Sequence, residues 1–488
     1  MSDEKTLQPV HLVLLHSNDI HGAFQPKSED GVLTGGISLL SGFVQKTRRT
    51  EENVIYAMAG DLFMGSIIDS EYRGLSTIRL ANALAPDVFT VGNHEIDYGL
   101  SHLLFLEKCA DFPIICANLS VRELNRTIFR PWIDIERGGI TVRFIGLLTE
   151  SITGKIQQED LIDREISVRD VYKELGRVVR ALQREKKADL TVLLSHLGIM
   201  DDRVLAEKIP PEWGIDLLIG GHSHTLMQEP EIVNGIPIVQ AGSGSAQIGR
   251  FDLDMDPEAH RMIRYSWQLL PIDERNAEPD ELLEFYQERY QREVDEKYEK
   301  NLATLPKAYV HNGFHRETEV LDLFTDLYRE AFETDVFLLS SNGVRCRTIG
   351  PSVSRKDLKM ALPYDNEVFR ISMSGNRLDR MIRYMLRKES WEGVNIFILF
   401  SGTMQIEFDR TERVVREVRI YGEKPDPERT YTVGITSYVR KNLQAFLSIA
   451  EDELPIAKIA AEDRPKLEEF LLQKGSFELQ HEGRVVMV

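Results

Sequence analysis

Cysteine is scarce in this sequence: there are three, Cys109, Cys116 and Cys346, too few and too scattered for a disulfide framework or a zinc knuckle. No apolar run is long enough to span a bilayer, so no membrane partner is expected. The terminus Met1-Ser2-Asp3-Glu4-Lys5 is polar, and the first apolar run, residues 10–15, is interrupted by His11 and too short for the core of a secretory signal. The cytoplasm is the expected compartment. Positive charge is also in deficit, 59 Lys and Arg against 78 Asp and Glu, for a formal net charge of −19. That balance excludes a general binder of duplex nucleic acid, which relies on many Lys and Arg contacts, and leaves any phosphorylated ligand to be held by local cations. Internal repeats and low-complexity segments are absent. What is present is ordinary for a globular chain, 42% hydrophobic and 28% charged, but 488 residues exceed one core, so two domains are expected.

The first half alternates short β-branched runs with longer amphipathic or loop segments, the pattern of an α/β sandwich. Residues 11–16 read as a strand that ends in Ser17-Asn18-Asp19-Ile20-His21-Gly22, and residues 54–59 as one that ends in Gly60-Asp61-Leu62-Phe63-Met64-Gly65. Residues 88–91 lead into Gly92-Asn93-His94-Glu95-Ile96-Asp97-Tyr98-Gly99, which packs an amide, an imidazole and two carboxylates into five positions. Further strands are expected over residues 113–119 and 142–148. Residues 190–194 then deliver Ser195-His196-Leu197-Gly198, and residues 215–219 deliver Gly220-Gly221-His222-Ser223-His224. Metal-ligand types thus recur at one end of successive strands, the end at which open α/β sheets build their sites.

From residue 279 to about 305 apolar residues lie among many charges, with no glycine and no further proline until Pro306. This reads as one long amphipathic helix, on which the domain boundary is placed: a first domain at residues 1–275, a linker helix at 276–306 and a second α/β domain at 307–488. The second domain is expected to open with a helix over 318–332, continue with a strand at 336–339 and a loop at 340–354, and close on β-rich stretches at 396–400 and 417–421. The tail after Ala450 is charged and helix-like.

Asp19-x-His21 sets a carboxylate and an imidazole two residues apart, on one side of an extended segment and suited to a single cation. Asp61 lies between Gly60 and Gly65, where the backbone can pass close to a ligand, and a carboxylate is the natural bridge between two cations. With Asn93, His196, His222 and His224 the set is mixed nitrogen and oxygen, which suits zinc, manganese, iron or cobalt better than calcium. A lone histidine at a strand end is more often hydrogen-bonded structure than ligand; seven such residues together point to a metal site. Paired divalent ions, about 3.5 to 4 Å apart, are a recurrent solution for phosphoryl chemistry because they activate water and neutralise charge on an in-line transition state.

Taken in order, Asp-x-His, Gly-Asp-x-x-x-Gly, Gly-Asn-His-Glu, Ser-His-Leu-Gly and Gly-His-Ser-His resemble the five blocks of the calcineurin-like metallophosphoesterases, over most of residues 10–255. Gly-Asn-His-Glu-x-Asp followed by Ala241-Gly242-x-Gly244-x-x-x-x-Gly249 resembles the 5′-nucleotidase family within them. The resemblance implies a four-layer α/β/β/α sandwich carrying two divalent metal ions, joined to a smaller C-terminal α/β nucleotidase-type domain that binds a nucleotide substrate. It implies Asp19, His21, Asp61 and His224 at a first metal and Asp61, Asn93, His196 and His222 at a second. It also implies a catalytic role for His94, which stabilises the phosphoryl transition state, with Asp97 orienting it.

In the second half, Leu362-Pro363-Tyr364 and Ser437-Tyr438 resemble the segments whose two aromatic residues clamp the base, and Arg345 matches a substrate-binding arginine. The match loosens here: Ser340 and Asn342 stand at the family's Asn and Gly, Phe314 falls where an earlier arginine is expected, with Arg316 close by, and Lys441-Asn442-Leu443-Gln444 replaces Gly-Gly-Asp-Gly. For Tyr364 and Tyr438 buried or interfacial packing stays open beside the clamp, and for Arg316 an ordinary surface role is favoured over substrate binding. The expected activity is hydrolysis of nucleoside 5′-monophosphates or related nucleotides. The alternatives are a 2′,3′-cyclic nucleotide phosphodiesterase or nucleotide-sugar hydrolase on the same site, and a nucleotide-responsive binding protein with a silent site. Because the ligand types all precede residue 225 and Arg345, Tyr364 and Tyr438 all follow residue 340, a substrate is expected to need both halves, which move about the 279–306 segment.

Overall fold

In the computed structural model the strand Val10–Ser17 starts a sheet whose spatial order is Arg261–Pro271, Gln247–Asp256, Val10–Ser17, Val54–Met58, Val88–Thr90 and Ile114–Ile115. The structure describes residues 9–122, 126–152, 166–185, 187–392, 396–450, 452–479 and 483–488, so the polar stretch Met1 to Lys5 lies outside the described residues. A second six-stranded sheet runs Glu231–Val233, Ile236–Val239, Leu217–Ile219, Leu190–His196, Ile140–Leu148 and Trp132–Arg137.

The period-two pleat sorts each strand's side chains between two faces. Leu190, Val192 and Leu194 join Leu12, Leu14, Ile55, Val142 and Phe144 in the core between the sheets. Leu193, Ile145 and Leu147 face the other way, onto Val171, Leu175 and Val178 of the helix Val171–Leu182. The helix Ile37–Thr50 packs on the first sheet at Val54–Met58. The result is an α/β/β/α sandwich. Strands buried on both faces explain the near-continuous apolar runs.

Four stretches, the last of them the tail, differ from the sequence reading because a partner distant in the chain bonds with them. The strand expected over 113–119 is two pieces, Ile114–Ile115 in the first sheet and Leu119–Val121 in a separate three-stranded sheet. Between them the side chain of buried Asn118 accepts from Leu148 N at 2.9 Å and donates to Leu148 O at 2.7 Å, so a side chain takes the backbone's place in pairing and the chain changes sheet. The long helix stops at Tyr298, running Glu281–Tyr298, and residues 301–304, read as its last turns, form the strand Asn301–Thr304 paired with Ser352–Ser354. Leu302, Ala303 and Leu305 are buried in the second unit's core, a gain that outweighs continuing the helix. The stretch 340–354 is not all loop, since it contains the strands Thr348–Ile349 and Ser352–Ser354.

The tail is more than helix. Ile456–Ala460 adds an edge to a five-stranded sheet, Asp463–Lys474 is helical, and Val485–Met487 pairs in parallel with Met404–Asp409. Arg484, 1% exposed, donates to Asp326 at 2.6 Å and lies 3.2 Å from Asp322, both on the helix Glu319–Ala331.

The chain divides into two compact units, Met1–Val294 and Asp295–Val488, the division falling inside the helix Glu281–Tyr298. The second unit is a smaller α/β domain built on a sheet of order Ile398–Phe400, Val336–Ser340, Thr430–Thr436, Val368–Ser374 and Ile456–Ala460. Thr318 caps the helix Glu319–Ala331 through its side chain, which accepts from Leu321 N. Among the described residues no helix is long and apolar enough to cross a membrane.

Candidate metal centre

The strands Val10–Ser17, Val54–Met58 and Val88–Thr90 run parallel in one sheet, and Ile140–Leu148, Leu190–His196 and Leu217–Ile219 run parallel in the other. Residues 19–21, 61, 93–94, 196 and 222–224 therefore leave the sandwich at strand carboxyl ends. There the backbone departs from ordinary conformations. Asp19, His21, Asp61, His222 and His224 all have positive φ, between 48° and 76°. Left-handed backbone at non-glycine residues costs about 1 kcal/mol or more each, and five instances around one point mark a functional constraint held by the surrounding fold.

Space is equally constrained. A Cβ at Gly60 would lie 2.4 Å from His196 Nδ1, one at Gly92 2.3 Å from Asp61 Oδ1, and one at Gly221 3.0 Å from Asp19 Oδ2. The glycines of these motifs are there because the loops cross at van der Waals distance.

The side chains gather into overlapping groups, linked through His21 and Asp61. Asp19, His21 and His224 form one: His21 Nε2 lies 3.0 Å from His224 Nε2, and His224 Nε2 lies 3.4 Å from Asp19 Oδ1. Asp61, His196 and His222 form another, with His196 Nε2 3.1 Å from Asp61 Oδ2. Asn93 Oδ1 completes it, 3.2 Å from His196 Nε2 and 2.6 Å from His222 Nδ1. Asp61 Oδ2 also lies 3.7 Å from His21 Nε2, between the two groups. His94 Nδ1 donates to Asp97 Oδ2 at 2.5 Å, and His94 groups with Asp61 and His21.

The ring tautomers follow from the acceptors. His196 Nδ1 meets the carbonyl of Ala59 at 2.7 Å, and His21 Nδ1 meets those of Phe63 and Met64, each at 3.2 Å. A carbonyl only accepts, so Nδ1 carries a proton and Nε2 is the nitrogen turned inward, the one that a metal would take. With two carboxylates, one amide oxygen and four imidazoles converging, the donors fit divalent metal ions.

The electrostatics agree. Burial would raise the Asp61 carboxyl, but the imidazoles of His196, His94 and His21 outweigh it and hold it below the usual carboxylate range. Burial lowers His196, yet the charges of Asp61 and Asp19 prevail and push it up to about 9. The carboxylates thus favour positive charge at this point. Burial holds His21 and His222 below their ordinary value.

The supporting roles of two residues within these motifs were not legible in the sequence, because each also reaches a partner far away in the chain. Glu95, 1% exposed, accepts from Asp61 N, Leu62 N and Gly92 N at 2.9, 2.8 and 2.6 Å, tying two ligand loops together. Asn18 donates to Asp19 Oδ2 at 2.6 Å and to Gly242 O at 2.7 Å, which joins the first loop to the glycine run.

Asp202 is fully buried, accepts from Ser195 Oγ at 2.6 Å, and has its carboxyl pushed up to about 7 because burial outweighs the hydrogen bonds made to it. A carboxyl raised by folding still holds its proton where the unfolded chain has released one. Its contribution to stability therefore falls as pH rises from about 4 to 7 and stays lowered above that. Asp202→Asn, neutral throughout, should remove up to about 4 kcal/mol of that loss over the whole range, of which about 3 kcal/mol falls between pH 5 and pH 8. Urea unfolding of metal-free protein at pH 5 and pH 8 measures it; a drop equal to that of the unsubstituted chain would mean that Asp202 does not hold the proton.

In the second unit Arg345 Nη2 is 3.4 Å from the Tyr364 hydroxyl, with the guanidinium 5.9 Å from the ring centre. Tyr438 feels both: burial raises its hydroxyl, Arg345 lowers it and Tyr364 raises it. Tyr364 and Tyr438 are 38% and 40% exposed, so neither is a core residue. Arg316 is exposed and donates to the carbonyl of Asn312 in its own loop.

Comparison with known proteins adds to this geometry. A model of the calcineurin-like phosphoesterase family matches residues 12–226, and one of the 5′-nucleotidase C-terminal domain matches residues 299–450. Protein 5NUC of Lutzomyia longipalpis is 24% identical over 98% of this chain and 93% of its own length. A 5′-nucleotidase of Vibrio vulnificus is 25% identical over 88% and 84%. The crystal structure of a 5′-nucleotidase precursor from Thermus thermophilus superposes with a TM-score of 0.76, at 22% identity, over 98% of this chain and 99% of that one, a likeness of fold.

Proposed function

Since the chain belongs to the 5′-nucleotidase family of calcineurin-like metallophosphoesterases, which are metal-dependent phosphoester hydrolases, we propose that it releases phosphate from nucleoside 5′-monophosphates, with residues 1–275 carrying the chemistry and residues 307–488 holding the nucleoside. The observation that carries this reading is Asp61, whose carboxylate lies within 3.1 Å of His196 and 3.7 Å of His21, beside the His94 and Asp97 pair. On this reading Asp19, His21, Asp61 and His224 hold one divalent ion, and Asp61, Asn93, His196 and His222 hold a second. When bound, two such ions supply an activated water and charge neutralisation at a phosphoryl group.

The remaining work falls to the chain. Asp97 holds the His94 ring through Nδ1, and the imidazolium form would direct an Nε2 proton at a phosphoryl oxygen where negative charge develops. Glu95 locks the loops of Asp61 and Asn93 against each other, so that the ligands are set before substrate arrives. Three free cysteines, one of them fully buried, suit the reducing cytoplasm proposed for the protein.

The test is phosphate release by manganese-reconstituted protein on a panel of mono-, di-, cyclic and sugar nucleotides. The 5′-monophosphates are expected to have the highest kcat/KM. Higher values on cyclic or sugar nucleotides would move the assignment to those esters, and no release from any would overturn it.

A separate expectation concerns Tyr364 and Tyr438. If both stack on the base, alanine at either should raise KM for nucleotides roughly 5- to 150-fold, the value of one stacking contact, and leave hydrolysis of a small aryl phosphate intact. Equal losses on both substrates would show that the tyrosines support the fold.

A further inference from the structure

Gln240 follows the strand Ile236–Val239 and is fully buried. No sequence motif for metal or catalysis includes it. Its amide nonetheless makes four hydrogen bonds, and three of them end on the loop that carries His222 and His224. Oε1 accepts from Ser223 Oγ at 2.9 Å and from Thr225 N at 3.2 Å, while Nε2 donates to Gly221 O at 3.1 Å. The Gly221 carbonyl only accepts and the Thr225 N–H only donates, which fixes the way the amide points; the fourth bond, from Nε2 to Asp202 Oδ2 at 3.3 Å, ties it to a carboxyl that also accepts from Ser195 Oγ, in the residue before His196. Ser223 Oγ accepts in turn from Ile199 N at 3.0 Å.

Packing leaves this link little freedom. A Cβ at Gly220 would sit 2.4 Å from Asp202 Oδ2 and 2.8 Å from Gln240 Nε2, so the chain reaches the histidines only by passing directly over the amide. The loop needs such a clamp, because His222 and His224 hold positive φ of 76° and 52° and His224 is solvent-exposed. Without external hydrogen bonds, nothing would keep both residues in that costly conformation.

We propose that Gln240 is a positioning residue of the metal centre, which sets His222 and His224 at once by holding the backbone on both sides of them. It touches no ligand atom and acts through the loop. The inference rests on the reading that these two histidines hold metal, one in each group. Partners of this kind typically contribute roughly 10- to 100-fold to metal affinity.

Gln240→Met keeps the length and packing of the side chain and removes its donor and acceptors. Manganese affinity, measured by chelator competition on apo-protein with bound metal counted per chain, is expected to fall roughly 10- to 100-fold at both sites, with the fold intact by circular dichroism. A purely structural role would lower the thermal midpoint and leave affinity at 20 °C, roughly ambient temperature, unchanged; that result would overturn the proposal. Should the variant not fold, Ser223→Ala breaks the same link from the exposed side of the loop. It is expected to weaken manganese binding in the same direction, and unchanged affinity would be equally decisive against Gln240. Failure of the underlying reading looks different: the unsubstituted protein would itself bind no manganese.

Discussion

Replacing Asp61 with alanine is expected to empty both metal positions and bring phosphate release to background. The reason is geometric. Asp61 is the carboxylate common to the groups around His21 and His196, and its Oδ1 also accepts from His94 N at 2.9 Å. Removing it deprives each ion of an anionic donor and leaves His196 beside Asp19 alone, whose Oδ1 is 3.9 Å from Nε2. Loss of the ions removes several kcal/mol of transition-state stabilisation, roughly a thousandfold or more in rate. Alanine at φ 53° carries a backbone cost of its own, so Asp61→Asn is the necessary companion. Asparagine tolerates that conformation and retains an oxygen for His94 N, yet lacks the charge, and it too should lose metal. Bound metal per chain decides: two full equivalents in both variants would sink the bridging role.

His94→Ala should do the opposite, keeping both ions while lowering turnover. His94 is held through Nδ1 by Asp97, and its ring lies 5.2 Å from that of His21, edge to face. It stands next to the proposed ligands and belongs to neither proposed set of four. A group that meets charge only as it develops should affect kcat and kcat/KM alike, and losing one costs roughly 10²- to 10⁴-fold. Asp97→Asn should give a smaller loss in the same direction, because the imidazole remains while its orienting charge is gone. Loss of one metal equivalent in His94→Ala would make His94 a ligand, a role that its grouping with Asp61 and His21 also permits. An unchanged kcat would remove it from the reaction.

The strands that bear the site are legible because burial on both faces leaves continuous apolar runs, such as residues 190–194, broken abruptly by polar residues and glycine. The order of chemistry-bearing residues along the chain is legible for the same reason. Where reading by pattern fails, a tertiary partner has overridden a local preference. Residues 301–304 follow a charged helix and carry no strand signature, yet Leu302 and Ala303 have a core to enter and Ser352–Ser354 to pair with. Residues 113–119 look like one strand, because nothing local announces that Asn118 will bond Leu148. The tail looked helical, since three residues of strand at Val485–Met487 and a buried Arg484 leave almost no periodic trace.

The sequence by itself determined the chemical kind of the centre: carboxylate, imidazole and amide donors at or after strand ends, in loops that carry glycine, on a chain too acidic to hold phosphate by general attraction. Only the tertiary structure decided which donors share a point, that Asp61 stands between two groups, which ring nitrogen each of His21 and His196 turns inward, and that Glu95 and Gln240 brace the loops. The division has a physical cause. A donor's identity and its place at a strand end are local properties, carried by consecutive residues. A hydrogen bond such as that of Asn18 to Gly242, across more than two hundred residues, exists only after both sheets have closed on one core, and pattern along the chain holds no record of it.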